Sequence, residues 1–284
     1  MSMDISYEEM VARNLGVLSA AEQEKLRRSR IGLLGAGGVG GMSAVLMAKM
    51  GCGEIVLYDD DRYETSNLNR QILATTATLG MPKAEVAGAA LAQHAPAVSA
   101  RAHVERLRDE EAMRRAFGGL DVLVVAADNL STVVRATRAA RVEGIPAIVT
   151  GPFGWKCFVT VVMPDGPDYE KTIGAPSAGR PMTDDVARQV DRFQREFLLH
   201  TKGFTREMGE RMRDLSAPIV TLAPVVNLTS CLAVAELAKV LLQRGRIFAF
   251  PHYLALDLLT GAPWSVRDVG FAARESLEQR AAHA

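Results

Sequence analysis

Ten residues, "GLLGAGGVGG" from Gly32 to Gly41, constrain this chain more than any others. The preceding apolar run "RIGLLG" reads as a buried strand. It ends in Gly35-Ala-Gly37-Gly38-Val-Gly40, and a helix opens at Gly38 and runs to Met50. Glycines at such a junction let the backbone approach a phosphate, and the helix N-terminus attracts its charge. The next apolar run, "EIVLYD", is a second strand that ends in Asp59, a carboxylate placed to hold ribose hydroxyls. The loop therefore specifies a nucleotide and a strand–helix–strand unit. It does not choose among nucleotides, and a nicotinamide- or flavin-dependent oxidoreductase satisfies it as well as an ATP-using enzyme does.

The pattern then repeats in kind. "PKAEVAGAALAQHA" is helical with Pro82 near its start, "VSARAHVERL" a third strand, and "DEEAMRRAFGG" a helix with acids in its first turn and glycines at its end. "DVLVVAAD" is a fourth strand, "LSTVVRATRAARVEG" a helix, and "PAIVTG" a fifth strand. Strands alternating with helices predict an α/β fold, a Rossmann-like and mostly parallel sheet with helices on both faces. After Gly151 the pattern changes. "WKCFVTVVMP" predicts a longer antiparallel strand at the far side of the sheet. Residues 165–217 read as a crossover over the active face, amphipathic around "DDVARQVDRFQREFLLH". An apolar helix from about Pro224 to Gln243 returns to the core, and "HYLALDLL" and "WSVRDV" read as closing strands. Ser19-Ala-Ala-Glu22 is a capping box opening a short helix. The expected organisation is an N-terminal helical segment (1–29), a nucleotide-binding core (30–164), the crossover (165–217), and a helix with closing strands belonging to the same domain (218–284).

Composition narrows the classes. Lys+Arg and Asp+Glu number 33 each, so there is no basic excess for nucleic acid. The N-terminus "MSMDISYEEMVARN" is acidic and polar, unlike a signal peptide. The stretch "APIVTLAPVVNLTSCLAVAELAKVLL" is apolar enough to suggest a membrane span. Pro224, Asn227, Ser230, Glu236 and Lys239 interrupt it, which fits a buried core helix better. Three cysteines, Cys52, Cys157 and Cys231, make neither a disulfide framework nor a metal cluster. A cytoplasmic protein, without membrane or nucleic-acid partners, is expected.

The segment after Asp59 separates the nucleotides. "YDDDRYETSNLNRQ" carries Asn67, Arg70 and Gln71 in one loop, and Lys83 follows Pro82. One pyrophosphate is largely satisfied by a helix N-terminus, whereas a triphosphate has charge left for an Arg and a Lys to neutralise. Asp128 ends the fourth strand, at the edge where such sheets bind ligands, and suits a magnesium ion bridging phosphates. Each residue also has a plainer reading: Arg70 as the partner of a nearby acid, Asp128 as the N-cap of the helix near Leu130.

Taken together, "GAGGVGG", "DDDRYETSNLNRQ", "GMPKAE" and "AADNLSTVVR" resemble the ThiF/MoeB/ubiquitin-activating superfamily of ATP-dependent adenylyltransferases, from about Tyr7 to Asp257. The resemblance implies ATP and magnesium as cofactors and adenylation of the C-terminal carboxylate of a peptide or small ubiquitin-like or sulfur-carrier protein. It implies that Gly35, Gly37, Gly38 and Gly40 face the nucleotide and that Asp59 binds ribose. Asn67, Arg70, Gln71 and Lys83 are then the phosphate ligands. Asp128 holds magnesium with Asp61 assisting, and Asn129 lies beside it. Arg13, in "VARNLG", matches the arginine that family dimers send into the partner's ATP site, so a homodimer is expected; its plainer reading is a solvated helix residue. Arg13, Arg70, Lys83 and Asp128 are the expected catalytic set. The alternative within the family is an inactive subunit of a heterodimeric activating enzyme.

Two features depart from that pattern. Many members hold a structural zinc on two Cys-x-x-Cys pairs. Asp168 and Lys171 stand where one pair would fall and no later pair exists, so no zinc site is expected. The five histidines show no ligand spacing either. Residues 165–217 also contain no cysteine. Cys157 sits in a strand and Cys231 in the apolar helix, both expected to be buried and inert. An enzyme thioester is therefore not expected, and an external nucleophile takes the activated acyl group. Trp155, Lys156 and Tyr169 flank the expected active face.

Overall fold

A computed structural model describes residues 5–201, 204–213 and 215–263. Eight strands form one sheet in the order β3-β2-β1-β4-β5-β6-β7-β8. Strands β1 (Arg30–Leu34), β2 (Glu54–Tyr58), β3 (Ser99–His103), β4 (Val122–Val125) and β5 (Ala147–Phe153) run parallel. Strands β6 (Lys156–Val162), β7 (Leu254–Asp257) and β8 (Ala262–Pro263) extend the sheet antiparallel, as expected. The third strand is shorter than "VSARAHVERL" suggests and stops at His103. The closing strand expected at 264–269 lies outside the described residues.

Every residue of β4 is buried, as are four of the five in β1. Such continuous apolar runs belong to strands covered on both faces. Alternation sends Ile31, Leu33, Ile55, Leu57, Val122 and Val124 to one core layer, under helices α3 (Gly38–Lys49), α4 (Lys83–His94) and α10 (Ala223–Leu242). Val56, Leu123, Val125 and Val149 go to the other, under α5 (Glu110–Phe117), α6 (Leu130–Val142) and α8 (Asp184–His200).

The N-terminal segment holds α1 (Tyr7–Val11) and α2 (Ala20–Arg28). The capping box opens α2 as expected: Ser19 Oγ accepts from Glu22 N at 3.2 Å, and Ser19 N donates back to Glu22 Oε2 at 2.8 Å. A second box, Ser6 with Glu9, starts α1. The crossover carries α7 (Tyr169–Ile173), α8 and α9 (Arg206–Arg213).

Helix α10 is long and apolar enough to cross a membrane by length and composition. Here it packs on α3 and on β5 and β6, and Ser230 Oγ donates to Val39 O at 3.0 Å, tying it to the glycine-loop helix. One side of α10 is open. Cys231 lies there and is exposed, contrary to the sequence expectation, because an apolar composition does not reveal which faces of a helix are covered.

Candidate active site

The strand order reverses between β1 and β4, and ligands of open α/β sheets sit at the carboxyl ends of the strands at that point. A cavity of about 1510 Å³ opens there. Its first wall is the glycine loop. Gly35 has φ +91°, and a Cβ there would meet Ala126 O at 2.7 Å. A Cβ on Gly40 would fall 1.8 Å from Gly35 O, so α3 can start this close to β1 only without a side chain.

Asp59 locks the loop to the end of β2. Its Oδ2 accepts from Ala36 N at 2.6 Å and its Oδ1 from Asp61 N at 2.8 Å. Burial raises its pKa, against the two backbone donors and the charge of Lys83. Lys83 starts α4, and its Nζ reaches Asp61 Oδ2 at 3.0 Å with only 9% of its side chain exposed. Gln71 is buried with its carboxamide against Gly37, and its Oε1 has no partner among the described residues. Gly37, Gly38, Asp59, Asp61, Arg70, Gln71, Lys83, Asp128 and Asn129 all line the cavity.

Among the described residues Arg70 pairs with no acid. It donates to Ser66 O at 2.9 Å and Asn69 Oδ1 at 2.8 Å, which hold its guanidinium at the cavity edge. Asn67 is brought to the same loop but not to the cavity wall. Its Oδ1 accepts from Glu64 N at 3.1 Å and closes the 3₁₀ turn at Thr65–Asn67. Arg13 lies on an exposed 3₁₀ turn, Ala12–Asn14, away from the cavity of its own chain.

Asp128 is exposed in the cavity, and its carboxylate makes no hydrogen bond or ion pair within 4 Å among the described residues. It is not the helix cap. Asn129 holds that position without a side-chain bond. The first N–H groups of α6 are satisfied from the crossover instead: Leu130 N donates to Gln194 Oε1 at 3.0 Å, and Ser131 N to Asp191 Oδ1 at 2.9 Å. Gln194 Nε2 returns a bond to Asp128 O at 3.1 Å. Buried Arg195 lies within electrostatic reach of Asp128 and Asp191. Sequence reasoning missed Asp191, Gln194 and Arg195. The helical period of α8 was the available signal, and it says nothing of what the helix caps.

A divalent cation needs hard oxygen donors. Asp59, Asp60 and Asp61 bring carboxylate oxygens within 4.8 Å of one another. Asp59 is already engaged by two backbone donors and Asp61 by Lys83. Asp128 keeps its carboxylate open and fits the requirement best. Where a zinc-binding pair would fall, Asp168 Oδ1 accepts from Lys171 N at 2.9 Å and caps α7. Trp155 sits exposed in the β5–β6 turn, Lys156 pairs with Asp257, and Tyr169 lines the cavity. Burial pushes the Cys52 thiol up to about 12 and raises that of Cys157.

The ThiF family's sequence model matches residues 11–277. The SAMP-activating enzyme E1 of Haloferax volcanii is 37% identical over 147 residues, 52% of this chain and 54% of that protein. The sulfur carrier protein ThiS adenylyltransferase of Escherichia coli is 34% identical over 142 residues, 50% and 56% of the two chains. The chain thus spans about half the length of these two relatives. The molybdopterin-synthase adenylyltransferase of Haemophilus influenzae aligns further, 26% identical across 86% of this chain and 89% of that one. In fold, the chain is similar to Escherichia coli MccB with ATP (TM-score 0.67, 21% identity, 87% of this chain and 67% of that). It is also similar to PaaA (TM-score 0.69, 20% identity, 93% and 84%).

Proposed function

The chain belongs to the ThiF family, and from that premise we propose that it uses ATP to adenylate the C-terminal carboxylate of a peptide or small protein. The observation that carries this is the clustering of Arg70, Gln71, Lys83 and Asp128 around one glycine loop, more polar capacity than a dinucleotide's pyrophosphate requires. Relatives named as activators of ThiS and SAMP support the substrate class.

In this reading the glycine loop and the N-terminus of α3 receive phosphate oxygens, and Asp59 holds the ribose. Gln71 donates to the phosphate chain through its amide Nε2. Lys83, held by Asp61, and Arg70, held by the Ser66 carbonyl, supply fixed positive charge. Asp128 would hold magnesium, which when bound would neutralise phosphate charge. A carboxylate oxygen of the substrate attacks the α-phosphorus, the bond from that phosphorus to the bridging oxygen breaks, and pyrophosphate leaves with the bond's electron pair. No proton need move, so positioning and electrostatics carry the rate. The acyl-adenylate passes to an external nucleophile, since Cys52 and Cys157 are buried and held as thiols and Cys231 lies on α10 away from the cavity wall. The crossover 165–217 acts as the cover of the core 30–164. The proposed setting is the cytoplasm.

We also propose a homodimer. Leu15 and Val17 beside Arg13 are 51% and 75% exposed, and Leu68, Ile72 and Met81 around the Arg70 loop are 40%, 54% and 44% exposed. A two-fold axis that joins these patches covers both and carries Arg13 to the neighbour's nucleotide.

Calorimetric titration with Mg·ATP, NAD and NADP tests the assignment. Selective Mg·ATP binding, weakened by Arg70→Ala, is expected; selective NAD binding refutes it. Mixing Arg13→Ala with Asp128→Ala chains should restore part of the lost activity, and light scattering should give a dimer.

A further inference from the structure

The cavity extends past the glycine loop along β5 and β6. Beyond Thr150 its wall turns aromatic. Phe153, Phe158, Tyr253, Phe250 and Tyr169 form a continuous row, with successive ring centroids 6.3, 5.4, 5.9 and 4.9 Å apart, mostly edge to face. Phe193 and Phe197, four residues apart on one face of α8, line the same cavity.

Gly151 makes room for the row. It pairs with Phe158 across β5 and β6, and a Cβ there would lie 2.2 Å from the Phe158 ring, which therefore rests flat on the strand. Tyr169 is 8% exposed and Tyr253 is half-buried. Both line the cavity, and neither hydroxyl has a hydrogen-bond partner among the described residues. Burial raises the pKa of both, so they stay neutral donors. Among the described residues no lysine or arginine of β5, β6, α7 or α8 lines the cavity; Arg135 of α6 does, with its Nη2 donating to Met182 O at 3.2 Å.

We infer that this chamber is the specificity pocket for the acyl substrate, and that the residue carrying the activated carboxylate has a large apolar, preferably aromatic, side chain. The inference rests on the adenylation reading above. The chemistry follows from the walls. β5, β6, α7 and α8 offer an acidic side chain no cation, and the carboxylates of Asp184 and Glu196 also line the cavity. A Gly-Gly tail leaves the half-buried rings of Phe158, Tyr253, Phe193 and Phe197 uncovered, and a pocket gains about tenfold or more for apolar groups that fill it. The two phenol hydroxyls serve the peptide groups beside that side chain, as few and fixed polar groups do in apolar sites.

The test uses the full chain, Mg·ATP and labelled pyrophosphate, with short peptides identical except at the C-terminus: Phe, Leu, Glu or Gly-Gly. Exchange with the Phe peptide should exceed that with Gly-Gly at least about tenfold. Gly151→Ala, which pushes the Phe158 ring into the chamber, should erase that preference while Mg·ATP affinity stays. Tyr253→Phe should raise KM for the peptide without changing ATP affinity. Equal or better exchange with Gly-Gly, or no exchange with any peptide, overturns the inference provided Mg·ATP binds. Failure of Mg·ATP to bind at all sinks the adenylation reading instead, and the two failures are read in separate measurements.

Discussion

Arg138 of α6 clamps the crossover to the core. Its Nε and Nη2 donate to Glu170 at 2.6 and 2.7 Å, its Nη1 to Glu110 at 2.8 Å, and Nη2 also reaches the carbonyls of Ser177 and Arg180 at 3.0 and 2.9 Å. Glu170 holds the guanidinium above its usual range. The Glu170 side chain is 9% exposed and that of Arg138 is 21% exposed. Arg138→Ala leaves the buried Glu170 carboxylate and the Arg180 carbonyl without their partner, while Ser177 O keeps the Arg180 N–H at 2.9 Å. Breaking a buried pair costs about 3–5 kcal/mol. The partial exposure of the arginine puts this one at the lower end, about 3 kcal/mol. Glu110 is more exposed and adds little. For a chain of this size that is a fall of roughly 6–12 °C in Tm. Thermal unfolding by circular dichroism measures it, and limited proteolysis should show cleavage moving into residues 165–217. The double variant Arg138→Ala/Glu170→Gln should recover part of the loss, since no charge is then stranded. A Tm change under about 2 °C, or strictly additive effects in the double-mutant cycle, would show that the clamp does not hold the crossover.

Asp128→Asn should weaken ATP binding about tenfold or more, 1.4 kcal/mol, only when magnesium is present; calorimetry with and without the metal reads this, and equal loss in both series contradicts the assignment. Gly40→Ala drives a Cβ into a carbonyl that cannot rotate away. We expect a cost of about 2–3 kcal/mol and loss of ATP binding, read by thermal shift with and without Mg·ATP. Thiol titration of the native protein should show fast labelling at Cys231 alone, abolished by Cys231→Ser, because Cys52 and Cys157 are buried and held as thiols. Fast labelling of either buried cysteine would mean that the strands open around them.

Local physics made much of this protein legible from its sequence. The parallel core was readable because buried strands are short apolar runs and their helices carry caps, glycines and a 3.6-residue period. The glycine loop, Asp59 and Asp128 were readable because each sits at the end of a strand, where chain direction alone puts it on the ligand edge. The sequence by itself determined the glycine loop and the strand ends that bring Asp59 and Asp128 to one edge of the sheet. Only the tertiary structure decided what surrounds it. That α8 caps α6 through Asp191 and Gln194, that Asn67 closes a turn rather than facing the cavity, that Arg138 ties down Glu170, and that Gly151 makes room for Phe158 are contacts between residues whose types carry no local mark of their partners. Helical period fixes which face of α8 is apolar, but not which strand ends it covers. Those choices belong to long-range packing, where shape and burial outweigh local preference.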